Sequence, residues 1–287
     1  MLMSVPNVSE GVDQDAIARI GAAFAPAHLL DVHSDPDHHR SVFTLASIQG
    51  ELAPALARGA ADVHASVDVS GHAGIHPHVG AIDVVPVVYL SPSDRGAACA
   101  EALTAAEMIA KNTNTPVFLY GELAGGRERA ELRAGGIKGL AERMASGEHR
   151  PDFGPDELNP TGGATLVSAR PPMVAFNVDL AADVSIERAK EIAAELRESG
   201  GGPEGVRAIG LYLEARGCAQ VSCNIHDPFK VTLGQVVEFV RQRAAISAAE
   251  LVGLAPDAAL ADFPADVPLL DFDPERRVLE RVLKELS

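Results

Sequence analysis

The chain spells one succession of elements twice, on either side of a proline- and glycine-rich connector. In the first half, residues 1–8 read as a strand and DQDAIARIGAAFA (13–25) has the apolar spacing of a helix. Two extended stretches follow, HLLDVHS and RSVFTLASI, separated by the turn-rich DPDHH. A second helix, ELAPALARGAADVHASVD, leads through a histidine-containing loop to the strand AIDVVPVVYL. In the second half MVAFNVDL reads as a strand, and SIERAKEIAAELRESG as a helix opened by Ser185. VRAIGLYLEARGCAQVSCNI reads as a hairpin, TLGQVVEFVRQRAA as a helix capped by Thr232, and AELVGLA as a closing strand. Strand, helix, hairpin, helix, strand is the ferredoxin-like βαββαβ signature, two helices packed on one face of a sheet. The repeat is one of element order, not of residue identity. The expected fold class is α+β: two such subdomains, N-terminal over residues 1–171 and C-terminal over 172–287, with a ligand site in the cleft between them.

Further elements lie between the two blocks. An alanine-rich helix spans residues 94–111, PVFLYGE is a short buried strand, and 127–146 is a charged helical stretch that includes Gly135 and Gly136. Residues 147–172 read as punctuation, with six glycines and prolines between 151 and 163. A loop of that length is a linker or a functional segment.

Composition narrows the partners. A formal charge of −16 over 287 residues argues against a nucleic-acid surface, which needs clustered Lys and Arg. An anionic ligand would need a local basic site set against that field. Aromatic residues make up 4% and Trp is absent, so the core must come from Ala, Val, Leu and Ile. Cys99, Cys218 and Cys223 are odd in number and form no CxxC pair, which suits a reducing cytoplasm and disfavours structural zinc. MLMSVPNVSEG lacks the pattern of a signal peptide, and no apolar run reaches the roughly 20 residues of a membrane span. A soluble, cytoplasmic protein is the expectation.

Four stretches could carry chemistry. GHAGIHPHVGAID (71–83) holds His72, His76 and His78, which could be metal ligands, proton carriers or polar loop residues. His72 and His76 are four apart, which aligns side chains only on a helix, and Gly71, Gly74 and Pro77 disfavour one there. His38 and His39 would complete a ligand set only if the segments met. Pro77 fixes the backbone beside His76 and a buried strand follows, an arrangement that holds an imidazole rigidly for acid–base work. In LLDVHSDPDHHRS, Asp31 and His33 share a strand face, Asp35 and Asp37 suit a charged hairpin tip, and the Arg40 fork suits a carboxylate. PNVSEG puts Asn7 and Ser9 on one face, or is an ordinary strand-to-helix turn. In PTGGATLVSAR, Gly162 and Gly163 let a backbone approach a ligand closely, although the stretch is neither a P-loop nor GxGxxG. Cys99 reads as a small core residue of its helix.

Taken in order, VPNVSEG, LLDVHSDPDHHRSVFTL, GIHPHVGAIDVVPVV, PVFLYGE, PDFGPDELNPTGGATLVSAR, AFNVDL and CAQVSCNI resemble the glutamate formimidoyltransferases over residues 5–255. These include the formiminotransferase part of formimidoyltransferase-cyclodeaminase and its stand-alone bacterial relatives. The chain is too short to hold the cyclodeaminase part as well. The resemblance implies transfer of a formimidoyl group from N-formimidoyl-L-glutamate to N5 of tetrahydrofolate, in histidine breakdown. Tetrahydrofolate is then a co-substrate and no metal is needed. The resemblance also implies a homodimer whose protomers hold folate in a tunnel between the subdomains. His76 becomes the catalytic acid–base. Gly154, Pro155, Asp156, Glu157, Leu158, Asn159, Pro160, Thr161, Gly162 and Gly163 become the folate segment. Asn7, His33, Arg40 and His72 become substrate-binding. Small molecules are the expected partners, without nucleic acid or membrane. N5 attacks the amidine carbon, and the glutamate nitrogen leaves well only when protonated, so one histidine can take one proton and give the other. The chain departs from the pattern at His78, where relatives commonly carry Arg, and at His33, where they often carry Asp. Formyl transfer from N-formylglutamate, a non-catalytic folate-binding paralogue and a metal-dependent hydrolase remain the competing expectations.

Overall fold

The computed structural model describes residues 1–72 and 77–286. They divide into two compact units, Met1–Pro171 and Pro172–Ser287, each with its own apolar core.

In the first unit the leading strand is broken at Val5 and Pro6 into β1 (Leu2–Ser4) and β2 (Asn7–Val8). Then come α1 (Gln14–Ala23), β3 (His28–Asp35), β4 (Arg40–Ser47), α2 (Leu52–Ser66), β5 (Ile82–Val88), α3 (Arg95–Thr113) and β6 (Val117–Leu119). Two short helices, α4 (Arg129–Arg133) and α5 (Gly136–Ala145), precede β7 (Thr165–Arg170). β1 and β2 both lie between β4 and β5, and β3 flanks β4, so the first six elements have the ferredoxin-like order. β7 and β6 extend that sheet in parallel beyond β5.

Local chemistry places the helices. The Asp13 carboxylate accepts the Ala16 N–H at 3.0 Å and starts α1. α2 has no side-chain cap of its own; buried Glu101 of α3 accepts the N–H groups of Gly50 and, at 2.8 Å, Ala53, putting a negative charge on the positive end of α2. Fully buried Ala98, Ala102, Ala105 and Ala106 let α3 pack closely on α2 and the sheet. Phe24, Phe43, Ile20, Leu45, Leu52 and Leu56 fill the space beneath the helices.

Two expectations change here. The stretch 127–146 is not one helix: Gly135, at φ 72°, separates α4 from α5. Leu132 and Leu140 of these helices join Val84, Phe118, Tyr120 and Leu166 in a second cluster, so the opposite face of the sheet is also partly covered. The second change is in the connector, where Thr165–Arg170 is not loop but a strand paired with both β5 and β6. A short parallel strand buried on both faces shows no alternation, and this one sits directly behind the glycine-rich turn.

The second unit follows the expected order: β8 (Val174–Leu180), α6 (Ile186–Leu196), β9 (Val206–Leu213), β10 (Cys218–Ile225), α7 (Leu233–Arg241) and β11 (Ile246–Val252). α8 (Asp257–Leu260), β12 (Leu269–Leu270), α9 (Pro274–Arg277) and α10 (Leu279–Lys284) complete it. The sheet runs β12-β11-β8-β10-β9. Ser185 caps α6, and Thr232 with Gln235 forms a reciprocal capping box on α7. One sheet face is apolar beneath the helices. The other carries buried Asp179 and Glu250, both paired with Arg216 at 3.0 and 2.6 Å, and Gln220 donates to Asp179 at 2.7 Å. Among the described residues, no helix is long and apolar enough to cross a membrane.

Candidate functional site

The site grows from a one-residue irregularity in the first sheet. Asn7 of β2 pairs with Val84, but Val8 pairs with Ile82, so Asp83 is an extra residue in β5. Ile82 and Val85 face the core under α1–α3, whereas Val84 faces α4 and α5. The bulge lets Asp83 turn to that second face, where its carboxylate is completely buried. It accepts hydrogen bonds from the Val79 N–H at 2.9 Å, from Arg40 Nη1 at 2.9 Å and from Arg133 Nη2. Burial alone would raise its pKa, but the two guanidinium groups and the amide outweigh it and hold the carboxyl at about 2. Arg40 is further fixed by Asn7, whose Oδ1 accepts from Nε at 2.9 Å.

Two more arginines reach the same place. Arg129 lies one helical turn before Arg133 on α4, and Arg170 ends β7. Both are half-buried, and among the described residues no carboxylate makes a hydrogen bond or ion pair to either. Burial lowers the pKa of Arg129, with Arg133 adding to it, and lowers that of Arg170 to about 10, with Arg129 adding to it. The Tyr120 ring, at the end of β6, lies within Coulomb range of all four guanidinium groups.

Beside this cluster is a group of imidazoles. His39, in the β3–β4 turn, has the left-handed φ of 48°, and its Nδ1 accepts the Gly11 N–H at 3.2 Å. Gly11 is required for that approach: a Cβ there would meet Asp35 O at 2.2 Å and Arg40 N at 2.5 Å. His72 Nε2 donates to the His39 carbonyl at 3.1 Å, which leaves Nδ1 as its basic nitrogen. The His72 ring lies 4.5 Å from that of His39 and 4.2 Å from that of His78. Burial lowers the His72 pKa, and the neighbouring His78 and His39 lower it further, so it is neutral at pH 7. Buried His38 bonds Asp35 at 3.0 Å. His33 lies opposite Val42 on the same sheet face as Arg40. His76 falls outside the described residues. Among those described, no three His, Cys, Asp or Glu side chains converge as a metal-ligand set.

The connector closes the picture. Asn159 and Gly163 exchange backbone hydrogen bonds of 3.1 and 2.8 Å, closing a tight turn. Its outward carbonyls hold both flanks of the histidine loop: Thr161 O accepts the Val69 N–H and Gly162 O the Ala81 N–H, each at 2.9 Å. Asn159 Oδ1 accepts the Gly162 N–H at 2.9 Å. Gly162 and Gly163 do permit close approach, to the His64 ring and to Val79 O of this same chain. Gly154, at φ 86°, sits over Thr115 O, and Leu158 packs on the second cluster. Asp156 edges a polar cleft of about 450 Å³ with Met144, Ser146, His149 and Arg150; Pro155, Glu157 and Pro160 make no side-chain hydrogen bond among the described residues.

Residues 1–170 match the family model of the formiminotransferase domain, N-terminal subdomain, and residues 175–265 that of the formiminotransferase domain. The chain belongs to the formiminotransferase family. It is 35% identical to the glutamate formimidoyltransferase of Streptococcus pyogenes serotype M1, over 97% of each chain. It is 32% identical to that of Thermoplasma acidophilum, over 99% of this chain and 97% of the relative. It is also 37% identical to the formimidoyltransferase-cyclodeaminase of Sus scrofa, over 91% of this chain but 51% of that protein.

Within the family's N-terminal subdomain the structure thus joins Asn7 and Arg40 directly, and His72 to His39. The residues that sequence reasoning missed are Asp83, Tyr120, Arg129, Arg133, Arg170 and His64. A signal existed for Arg129 and Arg133, spaced four apart in a helical stretch. For Asp83, in an otherwise apolar strand, an isolated charge was itself the clue.

Proposed function

We propose that the chain transfers the formimidoyl group of N-formimidoyl-L-glutamate to N5 of tetrahydrofolate, with His76 moving the protons. The observation that carries this reading is the end-to-end likeness to proteins named glutamate formimidoyltransferase. The geometry supports it in two ways. A local excess of arginine in a chain of charge −16 suits substrates that are carboxylates. The described flanks of the histidine stretch are pinned, His72 through the His39 carbonyl and residues 79–81 through Asp83 and the connector turn.

In the proposed reaction, N5 of the folate attacks the amidine carbon and loses its proton to His76. The same imidazole then protonates the glutamate nitrogen, which leaves as the carbon–nitrogen bond breaks. Neutral His72 holds the loop flank and adds no competing charge. Arg40 is oriented by Asn7 and Asp83 for a substrate carboxylate, His33 faces the same side, and Gly154–Gly163 borders the folate. In this reading the protein is a cytoplasmic homodimer, as the resemblance implies, and the odd number of cysteines suits a reducing compartment.

The test is an ultraviolet assay of folate product formation with N-formimidoyl- and N-formyl-glutamate as donors. Turnover on the formimidoyl donor is expected, and His76→Gln should lower kcat by about 10²–10⁴-fold while folate still binds. Folate binding without turnover on either donor would remove the enzyme reading; near-native kcat in His76→Gln would remove the role of that histidine.

A further inference from the structure

Arg40 and Arg133 bond one buried carboxylate, Asp83, on the second face of the first sheet; Arg129 lies one turn before Arg133 on α4, and Arg170 shares the face of β7 that carries Leu166. The pairing is unequal. Asp83 takes Arg40 and Arg133 as partners, and Arg40 is further satisfied by Asn7. Exposed Glu128 is the other carboxylate in range of Arg129, and Arg170 makes its hydrogen bond to the carbonyl of Pro171 at 2.9 Å. Arg133 Nε is buried and makes no hydrogen bond among the described residues. Tyr120, nearly buried among these groups, has a hydroxyl without a hydrogen-bond partner among the described residues.

Like charges held together in a half-buried place repel one another and have lost part of their hydration, so the folded chain bears them only if something else takes their charge. The groups left over are planar forks and a phenol, the donors that match carboxylate oxygens in geometry as well as sign. We infer that Arg129, Arg170 and Tyr120, backed by the Asp83-anchored Arg133, form a recognition site for the two carboxylates of a glutamyl group. For the identity of its ligand the inference rests on the formimidoyl-transfer reading. Both substrates of that reaction carry such a group, the donor as its whole body and the folate as its tail.

Arg129 and Arg133 occupy one face of a single short helix, whereas Arg170 ends β7 and Tyr120 follows directly on the adjacent β6 in the sheet below. A dianion bridging helix and sheet therefore ties α4 down onto the strands, and a monoanion of similar size spans only one side.

The experiment titrates the full chain and its Arg129→Gln and Arg170→Gln variants with glutarate, a dianion with no reactive group, by calorimetry, and measures KM for each substrate. Native protein should bind glutarate more tightly than it binds butyrate, and each variant should lose about tenfold or more in glutarate affinity. If the donor occupies the site, its KM rises by a similar factor while that of tetrahydrofolate monoglutamate holds. If the folate tail occupies it, the KM of tetrahydrofolate monoglutamate rises by that factor instead and that of the donor holds. Arg129→Lys and Arg170→Lys should fall between native and Gln, having the charge without the fork. Circular dichroism identifies any variant that has not folded, and the Lys variants then carry the test. Glutarate affinity and both KM values unchanged in folded variants would overturn the inference. Glutarate binding without turnover on either donor would remove the reaction and leave the site.

Discussion

Replacing Gly162 with alanine adds a methyl group whose ideal position lies 2.1 Å from His64 Cε1 and 2.3 Å from Nδ1. An ordinary carbon contact is about 3.5–4 Å, so the shortfall is roughly 1.5 Å. The backbone at Gly162 is not left-handed, so the main conflict is with that one ring, and the contact to Asn159 Oδ1 at 3.2 Å is a lesser one. The ring cannot simply retreat, since Nε2 sits 3.3 Å from the hydroxyl of fully buried Thr115. Its low pKa, pushed by burial to about 4, keeps it neutral and leaves sterics as the only large term at pH 7. Overpacking of this kind costs about 1–3 kcal/mol. His64→Ala alone leaves a cavity and costs a similar amount, about 2 kcal/mol. In the double variant the new methyl moves into the vacated space, so the two losses should fall short of additivity by about 1–2 kcal/mol. The reporters are the amides of Val69 and Ala81, which donate to Thr161 O and Gly162 O. Hydrogen exchange at both should accelerate by about 5–100-fold in Gly162→Ala and recover in the double variant. Gly163→Ala is the control: its φ is 67° and its Cβ would strike Val79 O at 2.2 Å, a backbone atom that no His64 substitution moves. Unchanged protection in Gly162→Ala, or strictly additive losses, would refute the claim that the turn and the ring clamp the flanks of the histidine loop.

Asp83 sets an acid limit. Its folded pKa of about 2 lies below the ordinary 3.8, so its contribution of about 2 kcal/mol is present above pH 4 and is lost as the pH falls from 4 toward 2. Urea midpoints of native protein and Asp83→Asn should therefore differ at pH 6 and draw together as the pH falls from 4 toward 2; a constant difference would show that the charge is not what matters. The thiols should react in order of access: Cys99, partly exposed, first, and Cys223, buried with its pKa pushed to about 12, only on unfolding. Labelling of Cys223 in folded protein by a thiol reagent at the rate of Cys99 would contradict that burial.

Much of the architecture was legible without coordinates. The elements of both ferredoxin-like blocks follow from signals that act within a few residues: apolar spacing of 3.6 or 2, a Ser185 or Thr232 cap, and a turn-rich hairpin tip. The Arg40 fork read as a site for a substrate carboxylate, and in the fold its Nη1 bonds the chain's own Asp83. The family followed from seven ordered stretches. What the tertiary structure alone decided involves residues far apart in the chain. Asp83 meets Arg40 across 43 positions and Arg133 across 50, and no spacing rule encodes such a contact. The bulge that aims Asp83 exists only once β2 and β5 are paired. β7 is a strand because β5 and β6 offer hydrogen-bond partners on both sides, although its six residues follow a run of turn formers. Gly162 and Gly163 read from the sequence as places of close backbone approach, and where a Cβ would stand the fold puts a histidine ring and a carbonyl of the chain itself. A glycine says that something comes close; only the fold says what.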